Sequence, residues 1–121
     1  MPETEYDHGA GDIVTLNDRL TAIGGLLIRK VEVFEKSNWN KSVIPDVGNY
    51  EGKIGDFSTL VIENTLYLFG GADIGTNLNE VWKYNSDLIR EWQKETPLIY
   101  PMARHRSVYF NNRIYHFSPQ G

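Results

Sequence analysis

The sequence predicts an all-β protein made of consecutive four-stranded antiparallel sheets, in which each sheet is one copy of a repeated unit. Two observations lead to this prediction. The apolar run from Leu66 to Phe69 ends in the glycine pair Gly70-Gly71, and a strand containing a tryptophan follows. Weaker versions of this order precede and follow it, so that Leu66 lies 46 residues after Leu20 and Ile114 lies 48 residues after Leu66. Self-similarity at a nearly fixed spacing is typical of repeat architectures.

The composition fits one modest globular domain and excludes several classes of protein. The chain has 121 residues, of which 40% are apolar, and its net charge is −4 with both signs scattered along it. This balance gives no reason to expect a nucleic acid or an anionic membrane as a partner. The sequence has no cysteine, which rules out disulfides, cysteine–zinc sites and thiol catalysis. We see no signal peptide and no apolar run of about 20 residues, and we expect a cytoplasmic protein.

The first unit follows a polar lead-in over residues 1–11. Its predicted elements, in order, are a strand at Ile13–Leu16, a turn at Asn17-Asp18, a strand at Arg19–Ile23 closing on Gly24-Gly25, a loop at Leu26–Lys30, a strand at Val31–Phe34, and Trp39. Asparagine and aspartate tolerate the positive φ angles that a two-residue hairpin turn requires. The strand after the loop alternates between apolar and polar residues, as a half-buried strand does.

The second and third units repeat this order after a loop at Pro45–Gly55 that is rich in glycine. The second is predicted as strands at Thr59–Ile62 and Leu66–Phe69, a polar loop at Ala72–Asn79, and strands at Glu80–Tyr84 and Glu91–Lys94. The third has strands at Ser107–Phe110 and Arg113–Phe117. A competing prediction is a short helix over Ser86–Trp92, because Leu88, Ile89 and Trp92 would share one face.

The first two strands of each unit, which we call A and B, explain why the units need one another. They are apolar on both sides, so both sides must be covered, and a neighbouring sheet on each face can do this. The glycine pair that ends strand B lets another chain segment or a large ring approach the backbone. We expect Trp39, Trp82 and Trp92 to pack in the core.

The repeated unit resembles the kelch repeat. The residues that match it are, in chain order, an apolar strand, Leu66 to Gly71, Glu80-Val81-Trp82-Lys83-Tyr84, and Trp92. It is partial over residues 12–39, where Thr21 stands in place of the usual tyrosine. Only its first half is present from Arg104 onward, where Ser118-Pro119 replaces the glycines. The resemblance implies blades of a β-propeller, with repeat units at about 8–48, 56–100 and 104–121.

A propeller of two and a half blades cannot close into a ring. Its open edges and apolar faces would be exposed, which favours contact with other protein surfaces. We therefore expect residues 1–121 to be a partial propeller that is a fragment of a larger protein. Self-association through the open blade edges is the alternative.

The long loops predict where a binding site lies. With the third and fourth strands of each unit called C and D, the D-to-A and B-to-C connections of a four-stranded meander share one end. Loops on a rigid scaffold commonly carry function. The candidate side chains there are Arg29, Lys30, Tyr50, Lys53, Asn77, Tyr100, Arg104, His105 and Arg106. The group Arg104-His105-Arg106 is the most concentrated cationic one, and arginine suits acidic peptide side chains. The competing interpretation is that these residues cap a loop and solvate its edge.

The resemblance implies a non-enzymatic protein-interaction module, such as an adaptor or scaffold, with a protein or peptide partner and no cofactor. The alternative is a fragment of a kelch-type propeller enzyme, either a metal-dependent oxidase or a specifier-like protein. The absence of cysteine counts against a copper oxidase with a crosslinked tyrosine. The histidines His8, His105 and His116 have no metal-site spacing, and no catalytic constellation is visible.

Overall fold

The computed structural model describes residues 12–16, 19–25, 28–35, 38–41, 55–73, 76–85 and 92–117. The regular elements among these residues are all strands: β1 (Asp12–Leu16), β2 (Arg19–Gly25), β3 (Ile28–Glu35), β4 (Asn38–Lys41), β5 (Ser58–Ile62), β6 (Thr65–Phe69), β7 (Ala72–Asp73), β8 (Thr76–Asn77), β9 (Val81–Tyr84), β10 (Gln93–Lys94), β11 (Arg106–Phe110) and β12 (Arg113–Phe117). Within the described ranges, no helix has the length and apolarity needed to span a bilayer.

The strands form the predicted antiparallel sheets. The first sheet has the order β1-β2-β3-β4, and the second has the order β10-β9-β6-β5. Strands β11 and β12 form a separate hairpin, and β7 with β8 forms a smaller one. Neighbouring strands are antiparallel throughout these sheets. The all-β prediction and the four-stranded meanders are therefore confirmed.

Two of the A-to-B turns have the conformation that the sequence requires. Glu63 and Asn64 have φ angles of 50° and 63°, and Asn111 and Asn112 have 52° and 60°. Positive φ at both central residues is the property of the type I′ turn, whose twist matches that of the paired strands. The predicted turn at Asn17-Asp18 and residues 86–91 of the alternative helix over Ser86–Trp92 lie outside the described residues.

Two predicted loops are partly strand. The loop expected at Leu26–Lys30 is shortened because Gly25 pairs with Ile28, so β3 begins at Ile28. Arg29, expected on this loop, therefore lies within strand β3. The loop expected at Ala72–Asn79 contains the hairpin β7–β8, in which Ala72 pairs with Asn77.

The core lies between the first and second sheets. One face of β6 and β9 presents Leu66, Leu68, Trp82 and Tyr84, all of them buried. These side chains join Leu16, Ile23 and Val31 of the first sheet in one apolar cluster, with Phe57 and Trp92. The rings of Tyr84 and Trp92 lie 5.6 Å apart between centroids. Alternation along β5 and β6 turns Ser58 and Phe69 to the opposite face, where they meet the hairpin β11–β12.

Trp92 should be the most sensitive single position for stability. Its side chain is 2% exposed and packs in the core cluster against Tyr84. We expect Trp92→Ala to lower the free energy of unfolding by about 3–5 kcal/mol, because the loss of a buried ring leaves a cavity. Urea unfolding followed by circular dichroism measures this change. The exposed Tyr100→Ala is the control, and a loss below about 1 kcal/mol for Trp92→Ala would contradict the assignment.

Candidate functional site

Three loops meet at one end of the sheets, and we call this surface the rim: residues 55–57, 70–73, 76–80 and 95–105. Backbone hydrogen bonds connect them. Gly71 N donates to Met102 O at 2.7 Å, and Met102 N donates to Leu78 O at 3.0 Å. Arg104 N donates to Asp56 O at 2.7 Å. The D-to-A and B-to-C loops of the second unit therefore form one connected surface, as the meander topology requires.

Gly70 permits this meeting of loops. It has a φ of +65°, and a Cβ built on it would lie 2.3 Å from Met102 O. That distance is far inside van der Waals contact, and the opposing atom belongs to the backbone. The glycine that ends strand B therefore lets the D-to-A loop lie directly against the B-to-C loop. The sequence predicted such an approach, and the structure identifies Met102 as the approaching residue.

The outer surface of the rim combines apolar and cationic groups. Ile99 and Tyr100 are 88% and 73% exposed. The exposed side chain of Arg104 lies with Nε 3.5 Å from Asp56 Oδ2. Both Arg104 and Asp56 have a φ of 56°, a conformation that costs free energy in residues other than glycine. The fold holds these two residues side by side in strained conformations.

The other residues predicted to bind a partner do not lie together on the rim. Asn77 is exposed on β8, and Arg106 is exposed at the start of β11. His105 is only 5% exposed, so its ring lies beneath the rim and is not offered to a partner. Arg29 and Lys30 lie in β3. Tyr50 and Lys53 lie outside the described residues.

His105 belongs to a polar network between the second sheet and the hairpin β11–β12. Its Nε2 shares a hydrogen bond of 2.9 Å with Ser58 Oγ. Ser58 also shares a hydrogen bond with Ser107 Oγ, which in turn lies 2.7 Å from His116 Nδ1. The His116 ring stands edge-on to Phe69, with the ring centroids 4.7 Å apart. These contacts attach the hairpin to the second sheet.

Both imidazoles of this network favour the neutral form. Burial and then the neighbouring His116 lower the pKa of His105 to about 4. Burial also lowers the pKa of His116. Among the described residues His105 Nδ1 has no hydrogen-bond partner, so nothing there stabilises the protonated ring.

The Ser58–His105 pair has the composition of a nucleophile and its base, but the described residues do not supply a third member of such a site. A catalytic histidine needs a third group on its other nitrogen to orient it. No described residue occupies that position on His105 Nδ1, and Ser58 is itself buried. In the described part of the chain, no group of three or more histidine, cysteine, aspartate or glutamate residues could hold a metal ion.

Two features of the site were not predicted from the sequence. Ile99 was not a candidate, although an apolar pair between Pro97 and Pro101 in a polar loop could have indicated it. The Ser58–Ser107 contact joins residues 49 apart, and only the stacking of the units brings them together.

The comparisons with known proteins agree with the repeat architecture. No protein-family model matches the chain. It is 31% identical to Kelch-like protein 21 of Rattus norvegicus over 61 residues, which are 50% of this chain and 10% of that protein. The solved structure of YjhT superposes with a TM-score of 0.78 at 22% identity, covering 96% of this chain and 35% of that one. The matched part of the chain thus spans about a tenth of the length of Kelch-like protein 21 and about a third of the length of YjhT.

Substitution of Gly70 should disturb the rim through the backbone. We expect Gly70→Ala to lower the free energy of unfolding by about 1–3 kcal/mol, because the new Cβ would collide with Met102 O and because φ is positive. Urea unfolding gives the value. The surface change Asn112→Gly at a positive φ is the control, since glycine suits that conformation. An unchanged midpoint for Gly70→Ala would contradict the close approach.

The stability of the protein should depend on pH through His105. Its pKa is about 4 when folded and near 6.5 when unfolded, so the unfolded chain binds more protons between these values. The stabilisation is complete above about pH 6.5 and is lost as the pH falls towards 4. Urea titrations across this range should show the decline, and His105→Gln should flatten it. An equal slope in both proteins would contradict the assignment.

Proposed function

Because this chain carries kelch repeats of a β-propeller, we propose that it is a non-enzymatic protein-interaction module whose rim binds a protein or peptide partner. The observation that supports the proposal most is the fusion of the D-to-A and B-to-C loops into one surface with exposed Ile99, Tyr100 and Arg104. Large apolar side chains exposed next to an arginine are typical of protein contact sites.

The chemistry of the rim favours a peptide that has a carboxylate beside an apolar side chain. The guanidinium of Arg104 presents planar donors that match a carboxylate, and its bond to Asp56 is long enough at 3.5 Å to be exchanged. Tyr100 offers a ring for apolar contact and a hydroxyl for hydrogen bonding. We propose that Asn77, on the neighbouring hairpin, contributes polar contacts at the edge. Arg29, Tyr50, Lys53 and Arg106 remain candidates of lower rank.

The backbone at Arg104 supports the same proposal. A residue other than glycine with positive φ persists only where its surroundings impose it, and such residues cluster at binding sites. Here Arg104 N donates a hydrogen bond to Asp56 O, which holds the backbone of Arg104 against the neighbouring loop. The guanidinium would then be held outward before the partner arrives, which reduces the conformational entropy lost on binding. The adaptor or scaffold role and the cytoplasmic location stay predictions.

Binding of synthetic peptides tests the proposal. Fluorescein-labelled peptides of equal length, one with alternating aspartate and leucine and one with alternating lysine and leucine, are titrated with the full chain, and anisotropy is measured. We expect the acidic peptide to bind more tightly. Arg104→Gln should weaken its binding about tenfold, because it removes a charge-assisted pair.

Arg113→Gln is the matched control. It removes the same charge from an exposed position beside the A-to-B turn, at the opposite end of the sheets from the rim. The proposal predicts that it leaves peptide affinity nearly unchanged. If the two arginine variants bind equally, or if the acidic and basic peptides bind equally, the rim is not the peptide site.

A further inference from the structure

The described structure contains two seams: the first lies between the first and second sheets, and the second lies between the second sheet and the hairpin β11–β12. Strands β5 and β11 have equal length and are followed by equivalent turns, so their positions correspond one to one. By this correspondence Phe57 is equivalent to His105, and Leu68 is equivalent to His116. Phe57 and Leu68 belong to the apolar core cluster. The same positions are therefore apolar at the first seam and titratable at the second.

Four polar side chains at the second seam form a chain of hydrogen bonds. It runs from His105 Nε2 to Ser58 Oγ, from there to Ser107 Oγ, and from there to His116 Nδ1. Each of these three bonds requires one proton. The two hydroxyl groups supply two protons, so one of the two ring nitrogens supplies the third and the other accepts. The hydrogen bonds are thus complete when both imidazoles are neutral.

The surroundings of His105 determine the direction of the hydrogen bonds. Its Nδ1 is buried and has no hydrogen-bond partner among the described residues. A proton on this atom would be a buried donor without an acceptor, which is unfavourable. The proton of neutral His105 therefore lies on Nε2 and is donated to Ser58. Ser58 then donates to Ser107, and Ser107 donates to His116 Nδ1.

A proton added to either imidazole disrupts this arrangement. On His105 it occupies Nδ1, for which the described residues offer no acceptor. On His116 it occupies Nδ1, which then no longer accepts from Ser107, so that one hydroxyl proton loses its place. The two ring centroids are only 5.6 Å apart, and a second proton therefore meets the charge of the first. The lowered pKa values of both rings agree with this geometry.

The groups that face the two imidazoles in the described structure carry no charge. They are Ser58 on β5, Phe69 and Gly70 after and within the end of β6, and Ser107 on β11. Next to His105 in the chain, Arg104 and Arg106 are cations, and the carboxylate of Asp56 already lies against Arg104. No ion pair among the described residues includes either imidazole. A protonated pair therefore gains no compensating negative charge from them.

The second seam lies directly beneath the rim. A Cβ built on Gly70 would lie 3.2 Å from His105 Cε1, so the imidazole packs against the backbone of Gly70. The next residue, Gly71, donates its N–H to Met102 O. Displacement of His105 would therefore disturb the hydrogen bonds that hold the D-to-A loop in place.

We propose that the second seam is an acid-sensitive joint. Protonation of His105 and His116 releases the hairpin β11–β12 from the second sheet and opens the rim with it, while the apolar core at the first seam stays packed. A partner bound at the rim would be released in acid by the same opening, and this consequence alone rests on the proposed function. The joint itself requires no partner.

Amide hydrogen exchange tests the proposal. The isotope-labelled full chain is followed residue by residue by NMR at about pH 7.5 and about pH 5, and the rates are corrected for intrinsic exchange at each pH. We expect the protection factors of β11, β12 and Met102 to fall about tenfold at the lower pH, because the released histidines bind protons with ordinary affinity. The amides of β6 and β9 should change by less than about twofold.

The first seam supplies the matched variant. His105→Phe combined with His116→Leu gives the second seam the residue types that the chain has at the equivalent positions, and we expect it to remove the pH dependence of hairpin protection. His105→Gln, which keeps a donor for Ser58 and does not titrate, is a second variant and should reduce the fall. His8→Gln removes the remaining histidine and is the control, which should retain the fall.

Three results would overturn the proposal. They are equal hairpin protection at the two pH values in the unaltered chain, an equal loss of protection in β6 and β9, and an unchanged fall in both the double variant and His105→Gln. If the hairpin of the double variant is unprotected already at the higher pH, His105→Gln decides. Failure of the acidic peptide to bind the rim would contradict the proposed function and leave these exchange results unaffected.

Discussion

The structure depends on the burial of sheet faces against neighbouring sheets. A four-stranded sheet with apolar residues on both faces leaves one face exposed to water even when its other face is packed against a neighbour. The second sheet resolves this by contacting the first sheet through Leu66 and Leu68 and the hairpin through Phe69. Strand A of the second unit contacts strand A on either side, which makes β5 the central element of the described stack.

The two contacts of the second sheet differ in chemistry. The contact with the first sheet is a large apolar cluster that includes Trp82, Tyr84 and Trp92. The contact with the hairpin contains Ser58, Ser107 and two histidines that burial keeps neutral. Apolar burial is almost independent of pH, whereas the histidine network is not. We therefore expect acid to weaken the attachment of the hairpin more than the core.

Much of this fold could be predicted from the sequence because its information is local. The apolar strands and the Asn111-Asn112 turn each report on a short segment, and the structure agrees with them. The spacing of Leu20, Leu66 and Ile114 shows that such local patterns recur, which predicted the repeated sheets. The early start of β3 was missed because it depends on how Gly25 pairs with Ile28, and composition does not reveal a pairing.

The site was harder to predict than the fold, since its side chains are sorted by long-range contacts. Sequence proximity grouped Arg104, His105 and Arg106 as one cationic cluster. The structure separates them: Arg104 is held at the rim by Asp56, His105 is buried under it, and Arg106 lies on strand β11. Alternation in an extended chain turns consecutive side chains to different surroundings, and which side is buried depends on the neighbouring sheet.

The rim and the hairpin contact are physically one system. The segment from Ile99 to His105 carries the exposed groups of the rim and leads directly into β11. Its Met102 bonds to Gly71 and Leu78, and its His105 bonds to Ser58, so the same seven-residue connection anchors the hairpin and shapes the rim. Protonation of His105 places a charge at this buried anchor, where burial disfavours it. A partner that binds this connection would therefore be coupled to the protonation of His105. If neutral His105 favours binding of the partner, the bound partner favours neutral His105 by the same free energy, because linkage is reciprocal.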